Sequence, residues 1–353
     1  TIVVCGGEAP KVSVWKGSGT EIESLPWQWN GAGFVDVLAK FAAWLGFAGV
    51  ASNPRFEALA RLAPTARDAR VAALIHLGDR EVVVDAALEG LVGRLVAEAG
   101  PDTRRRAAVA AALQARLGEV LLEWLELVHA RTGGARLAVG GTLFYNSALN
   151  ALVKRSGPFG DVFVPVDPGR AGLALGAALS ALDERVPPAS PFLGPDYSPN
   201  EIKEVLDNCK LQYSWESEEG VVAIAVRALA EGRLVGWFEG PMEWGQRALG
   251  ARSILASPMA PYVLENLNRF LKRREPWRGY AMSGPEAAVV EHFEGPRSAP
   301  FMECDYVPRN PSAFARAVPQ EGAAIRMHTV DGVTRPRFSR LLEAFGSETG
   351  WPS

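Results

Sequence analysis

Ala135-Arg-Leu-Ala-Val139-Gly140-Gly141-Thr-Leu-Phe-Tyr-Asn146-Ser-Ala-Leu-Asn150 places a short apolar strand, a glycine pair and a new helix in immediate succession. α/β proteins use that order of elements to present backbone amides to phosphates, because the glycines permit a close turn and the helix start supplies unpaired N–H groups. The same pair also serves as a purely structural tight turn, and the residues alone leave both readings open.

The neighbouring segments extend the α/β pattern. Thr1 to Val4, the turn at Gly6-Gly7 and the alternating Lys11 to Trp15 predict a β-hairpin. Apolar residues at helical spacing run from Phe34 to Leu45, with Trp44 read as core, and Val71 to Gly100 reads as mostly helical. The clearest helix is Thr103 to Thr132, where Val109, Leu113, Leu117, Val120, Leu121, Trp124, Leu125 and Val128 share one face and Gly133-Gly134 stops the chain. Its opening run Arg104-Arg105-Arg106 reads as a solvated face. Strand Val162 to Val166, a turn from Asp167 to Gly172 and a small-residue helix from Leu173 to Leu182 complete the order β-β-α-β-α-β-α, hence a mixed sheet flanked by helices. The Pro-rich stretch from Val186 to Pro195 is the linker candidate, and Ser198-Pro-Asn-Glu201 has capping-box spacing.

Composition narrows the class. The 353 residues suffice for two domains, and 48% hydrophobic with 22% charged residues is ordinary for a globular protein. A formal charge of -3 argues against nucleic-acid binding through a general positive field, so any anion site has to be local. Cys5, Cys209 and Cys304 have no close spacing, which indicates neither a disulfide framework nor a zinc ribbon. No apolar run reaches membrane-spanning length, and the expectation is a cytoplasmic protein without a membrane partner. A start at Thr1 without methionine points to residues before it.

The chemistry is expected in Glu243-Trp-Gly-Gln-Arg247-Ala-Leu-Gly-Ala-Arg252-Ser253, which follows the strand-like Leu234 to Phe238, and in Asn268, Lys272, Arg274, Glu275 and Arg278 downstream. Guanidinium groups grip planar bidentate anions such as phosphate and carboxylate, and adjacent glycines allow close backbone approach. The alternative is a structural salt-bridge network with Glu243 and Glu275.

Together these segments resemble the O-carbamoyltransferases of nodulation-factor and antibiotic biosynthesis. Gly240 to Pro258 is similar to the family signature GRMEFGPRALGNRSILADP. Leu267-Asn268, Lys272, Arg274-Glu275 and Trp277 to Ser283 resemble its LN..K.RE.FRPFAPS element. Gly140-Gly141 with Asn146 and Asn150 resembles GGVALN...N, and Gly169 to Leu179, including Gly172, resembles GDAGTALGAAL. Phe192 to Ser198 and Val330-Asp-Gly332 follow the family's order. The resemblance implies the C-terminal half of an actin-like (ribonuclease H-like) ATPase domain over residues 1–190, followed by a YrdC-like α/β domain over 191–353. It implies ATP-dependent transfer of a carbamoyl group from carbamoyl phosphate, via carbamoyladenylate, to a hydroxyl of a small natural product, with a homodimer among the arrangements open to it. On this reading Arg247, Arg252, Lys272 and Arg274 are catalytic, and Glu243, Ser253, Asn268 and Arg278 bind substrate. Gly140, Gly141, Asn146, Asn150 and Gly172 bind the nucleotide.

The family also implies an Fe or Mg site built on a His-x-x-x-His pair. Here His76, His129, His292 and His328 are scattered, with His328, beside the Val330 turn, the one singled out. Arg170 stands where the family has a metal-ligating aspartate, with Asp167 three residues away, and Cys5 stands where it has another aspartate. Arg cannot release its proton to coordinate a cation, so no metal ligand is assigned. Cys5 reads as a half-buried strand-end residue, with ligand or nucleophile as the other options. These departures give the second expectation, a non-catalytic homologue that binds nucleotide or anions as a scaffold subunit.

Overall fold

A computed structural model describes residues 1–8, 10–49, 51–182 and 190–351. Strands β1 (Ile2–Gly6), β2 (Val12–Ser18) and β3 (Glu21–Leu25) form an antiparallel meander, which contains the expected hairpin and a third strand that sequence periodicity missed. Helices α1 (Phe34–Trp44), α2 (Ser52–Ala60) and α3 (Ala69–Ala72) follow. The segment expected to be mostly helical also contains the hairpin β4 (Ile75–Leu77) and β5 (Val82–Val84) before α4 (Ala87–Ala99). The Val82-Val83-Val84 run is β-branched at every position, and crowding at χ1 favours a strand there.

Helix α5 (Thr103–Thr132) has the boundaries that its apolar spacing predicts. Asp102 caps it by accepting from the amides of Arg104 and Arg105, and so offsets the charge of the arginine run at the positive helix end. Gly133 stops it in the left-handed conformation, at φ 61°. Trp124 on its buried face meets Trp27 edge-on, with centroids 5.9 Å apart. Burial of each large apolar side chain on this face contributes about 1.5–3 kcal/mol.

Strand β6 (Arg136–Gly140) then runs parallel to β1. The glycine pair leads into a 3₁₀ turn, Thr142–Tyr145, and only then into α6 (Ser147–Ser156). β7 (Asp161–Phe163) is shorter than predicted and parallel to β6, and α7 (Arg170–Ser180) follows. The first sheet has the order β3-β2-β1-β6-β7. Gly141 fixes its central turn. It has φ 91°, and a side chain there would strike the Gly6 carbonyl.

Part of the linker candidate, residues 186–189, lies outside the described residues. Beyond it, α8 (Pro199–Asn208) carries the predicted capping box between Ser198 and Glu201. It is followed by α9 (Glu218–Ala230), the hairpin β8 (Val235–Phe238) and β9 (Arg252–Leu255), and α10 (Val263–Glu265), which continues as a π-helical turn, Asn266–Leu271. Strand β10 (Met282–Pro285), α11 (Glu286–His292), β11 (Phe293–Glu294), β12 (Cys304–Pro308), β13 (Ile325–Val330) and α12 (Pro336–Thr349) complete the chain. The second sheet has the order β10-β13-β12-β11. The fold is mixed α/β, as expected.

Helices α2 and α6 meet the second sheet across a seam of buried charges. Glu57 on α2 accepts from Arg61 Nη2 at 2.7 Å, Arg326 Nη2 at 2.8 Å, and Ser147 N and Oγ at 2.9 and 2.8 Å. Asp305 on β12 lies 2.7 Å from Arg61 Nε and 2.6 Å from Ser147 Oγ. Ser147 has one hydroxyl hydrogen for two carboxylates, while its oxygen accepts from Arg61 at 3.1 Å and Arg326 at 3.0 Å. Alongside, Lys154 pairs with Glu303 at 2.8 Å and Asn150 Nδ2 donates to the Glu303 carbonyl at 2.8 Å. Burial by itself pushes the Glu57 carboxyl up, but Arg326 and Arg61, with the Ser147 hydrogen bond, bring it down to about 2. Removing one partner from such a network strands the others in low dielectric, which typically costs about 3–5 kcal/mol. Glu57→Ala is therefore expected to lower unfolding free energy by about 3–5 kcal/mol in urea titration, whereas a loss under about 1 kcal/mol would show the seam to be dispensable.

Candidate functional site

Arg247 joins this seam to a cavity of about 430 Å³. The loop between β8 and β9 delivers its guanidinium beside Arg326, and both line the cavity together with Arg252, Ser253, Lys272 and Tyr280. Arg247 Nη2 donates to the Tyr145 carbonyl at 2.9 Å, whereas its Nη1 is buried without a partner. Desolvation and the adjacent Arg326 pull the Arg247 guanidinium down to about 10, so it keeps its charge at neutral pH. Tyr280 Oη is likewise buried without a partner, and burial raises that phenol's pKa. The Lys272 amide donates to the Leu267 carbonyl at 2.8 Å, while its exposed ammonium makes no hydrogen bond or ion pair with any described residue. The lining thus combines cationic groups with apolar side chains, among them Phe338, Leu341, Phe345 and Trp351.

The remaining residues of the arginine stretch hold the loops. Glu243 forms none of the ion pairs expected of a salt-bridge network among the described residues: its Oε1 accepts from the amides of Leu249, Ala251 and Arg252 at 2.7, 3.1 and 3.2 Å, which folds the loop around a buried carboxylate. Arg252 donates to the carbonyls of Gly240 and Ala251, both at 2.9 Å, and lies 3.5 Å over the Phe238 ring. Ser253 Oγ accepts from the Gly250 amide at 3.1 Å. Asn268, fully buried, brackets the next loop. It donates to the Pro276 and Arg278 carbonyls and accepts from Arg274 Nε at 2.7 Å. Arg274 also lies 4.3 Å over the Tyr280 ring, on the far side from the cavity. Arg278 is 3.6 Å from Glu275, which pairs with Arg55 at 2.5 Å. Glu275, unlike Glu243, thus takes part in salt bridges.

A family model for the carbamoyltransferase N-terminus matches residues 83–179, and one for the carbamoyltransferase C-terminus matches residues 226–353, the stretch that builds the cavity. The chain belongs to the carbamoyltransferase family. Nodulation protein NolO of Bradyrhizobium diazoefficiens is 32% identical over 265 residues, 71% of this chain and 48% of NolO. Nodulation protein NolNO of Sinorhizobium fredii is 33% identical over 266 residues, 71% of this chain and 39% of that protein. A 3'-hydroxymethylcephem-O-carbamoyltransferase of Amycolatopsis lactamdurans is 31% identical over 225 residues, 62% of this chain and 41% of that enzyme. The chain spans less than half the length of each of these relatives.

In this carbamoyltransferase-family chain the candidate nucleotide residues of the first sheet have their polar groups largely engaged within the protein. The Gly141 amide donates to the Pro168 carbonyl at 2.6 Å. Asn146 is the N-cap of α6, accepting from the Ala148 and Leu149 amides, and its Nδ2 donates to Gln114 at 2.8 Å. Asn150 Oδ1 is buried without a partner, and Gly172 permits close approach to the Asp167 carbonyl. Gly140 sits in β6 beside Cys5. The geometry of the pair is that of the tight turn.

The residues at the implied metal position do not fit a cation. Asp167 Oδ1 accepts from the Tyr145 hydroxyl at 2.5 Å and from the Gly169 amide at 3.0 Å, and Arg170 is exposed at the start of α7. Burial raises the Cys5 thiol above its ordinary pKa, which keeps it protonated. Among the described residues no group of three or more His, Cys, Asp or Glu side chains converges, and no helix is long and apolar enough to cross a membrane.

Sequence reasoning missed Glu57, Arg61, Ser147, Asp305, Arg326 and Tyr280. One signal was present: Glu57 and Arg61 are an i,i+4 ion pair inside the otherwise apolar Phe56 to Leu62 run. Arg326 similarly interrupts an apolar strand. His328, singled out in the sequence, is buried on β13 with Nδ1 3.1 Å from Ser283 Oγ and its ring stacked against Phe338. Desolvation, with Arg335 adding to it, pulls His328 down to about 4 from 6.5. The unfolded chain therefore takes up a proton below about pH 6.5 that the folded chain refuses until about pH 4. This contribution to stability is complete above the upper value and falls as pH drops toward the lower one. Unfolding free energy is expected to drop by about 2 kcal/mol more in the parent than in His328→Gln between about pH 7 and about pH 5, as read from urea titrations; parallel pH profiles would contradict it.

Proposed function

We propose that this chain carries out ATP-dependent carbamoyl transfer from carbamoyl phosphate to a hydroxyl of a small natural product, with carbamoyladenylate as the intermediate. The observation that carries the reading is the cavity of about 430 Å³ lined by Arg247, Tyr280 and Lys272, where the buried Arg247 Nη1 and Tyr280 Oη have no hydrogen-bond partner among the described residues. Buried donors without acceptors are costly unless a ligand supplies one. Phosphate oxygens are strong acceptors with the charge to match.

On this reading water hydrolyses carbamoyl phosphate to carbamate and inorganic phosphate, and a carbamate oxygen attacks the α-phosphorus of ATP. The bond to pyrophosphate breaks, leaving carbamoyladenylate. Arg247, Lys272 and Arg326 neutralise the crowded phosphates, and Arg252 and Ser253 shape the wall. The apolar side chains of the lining, Phe338 among them, accept the adenine. In the second step the acceptor hydroxyl attacks the carbamoyl carbon, AMP leaves, and the hydroxyl proton passes to solvent. No step is routed through a metal, because Asp167 and Arg170 do not offer a site for one. The corresponding architecture is a YrdC-like unit over 191–353 and the C-terminal half of an actin-like domain over 1–190. The relatives named as carbamoyltransferases support the reaction class.

The occupied Asp167 and the exposed Arg170 favour a second reading, a chain that binds nucleotide and carbamoyl phosphate as a scaffold without completing transfer. Titration calorimetry run beside a turnover assay separates the two, since binding without turnover selects the scaffold. For the enzyme reading, loss of a desolvated charge partner costs about 2–5 kcal/mol, so Arg247→Ala is expected to lower carbamoyl-phosphate-dependent ATP turnover at least about 30-fold. Unchanged turnover in a folded variant removes Arg247 from the site.

A further inference from the structure

A second cleft, of about 1100 Å³, opens on the other side of the segment Val263–Leu264, which lines both cavities. Its walls include Arg269, Arg273 and Arg316, with Tyr262 and Trp277 as aromatic surfaces and Glu265 as the one lining carboxylate. Arg269 pairs with Glu265 at 3.3 Å. Arg273 and Arg316 are exposed and make no hydrogen bond or ion pair with any described residue. Two guanidinium groups therefore share one concave surface without a counter-charge, in a chain whose overall charge is -3. Such focusing is local and attracts a small polyanion rather than a long nucleic acid.

The backbone supports the same surface. Four non-glycine residues among those described have positive φ, and two of them, Tyr262 at 65° and Arg273 at 48°, line this cleft. The left-handed conformation is unfavourable for residues with a Cβ and persists where the surroundings impose it. Here it turns a tyrosine ring 73% exposed to solvent and an unpaired arginine into the same cleft. Trp277 stands firm because its ring packs on Phe47, with centroids 6.1 Å apart.

We propose that this cleft is a second ligand site, separate from the Arg247 cavity, for a nucleotide-type diphosphate: Arg273 and Arg316 hold the phosphates, and Tyr262 or Trp277 stacks on the base. Charge and aromatic surface meet there as that chemistry requires. The site takes a free nucleotide or a nucleotide-linked sugar by the same contacts. The full chain is titrated calorimetrically with ADP, a nucleoside diphosphate sugar and inorganic pyrophosphate. The expected result is an ADP-binding event that Arg273→Ala/Arg316→Ala weakens at least about tenfold, that Arg273→Lys/Arg316→Lys partly restores, and that Arg247→Ala leaves in place. Tighter binding of the sugar than of ADP identifies the linked form as the ligand, and the reverse identifies the free nucleotide. No second event, an event indifferent to the arginine pair, or one lost equally in Arg247→Ala overturns the proposal. Pyrophosphate binding as tight as that of ADP overturns the role of the aromatic rings.

Discussion

Two carboxylates, Glu57 and Asp305, face three guanidinium groups, Arg61, Arg326 and Arg247, in the interior where α2 and α6 meet the second sheet. Arg61 is the bridge, bonded to both carboxylates. The arithmetic leaves one positive charge over, and Arg247, the guanidinium without a paired carboxylate, carries it. Low dielectric makes that surplus strong, and the cavity is where an anion can reach it. The site and the cohesion of the fold thus come from one set of charges. A change that loosens Glu57 disturbs Arg326, and through it the cavity wall.

Several elements were legible in the sequence because local physics decides them. The 30 residues of α5 carry an unbroken apolar stripe between an aspartate cap and a glycine stop, and nothing distant is needed to place them. The capping box at Ser198 is equally local. The short β4–β5 hairpin was not legible. Its three-residue strands are too brief to show a period, and the flanking residues are helical.

The candidate site divides along the same line. Proximity in sequence grouped Arg247, Arg252, Lys272 and Arg274 into one anion grip, but the loops send them in different directions. Arg247, Arg252 and Lys272 line the cavity, Arg252 while tying its own loop to nearby carbonyls, and Arg274 braces Asn268 and lines a different cleft. The left-handed turn at Arg273 separates Lys272 from Arg274, a conformation that residue type does not announce. Glu57 and Arg326 could not be paired from sequence, since they stand 269 positions apart.

That separation has a consequence for biosynthesis. At about 5–20 residues per second, a ribosome needs some tens of seconds after making Glu57 before Arg326 emerges. During that interval α2 can offer Glu57 only the neighbouring Arg61, and a half-matched polar face stays wet on the nascent chain. The first sheet can form early from its own strands, but its polar side closes last, when β12 and β13 arrive. Chaperone dependence should therefore ease as β12 and β13 leave the ribosome.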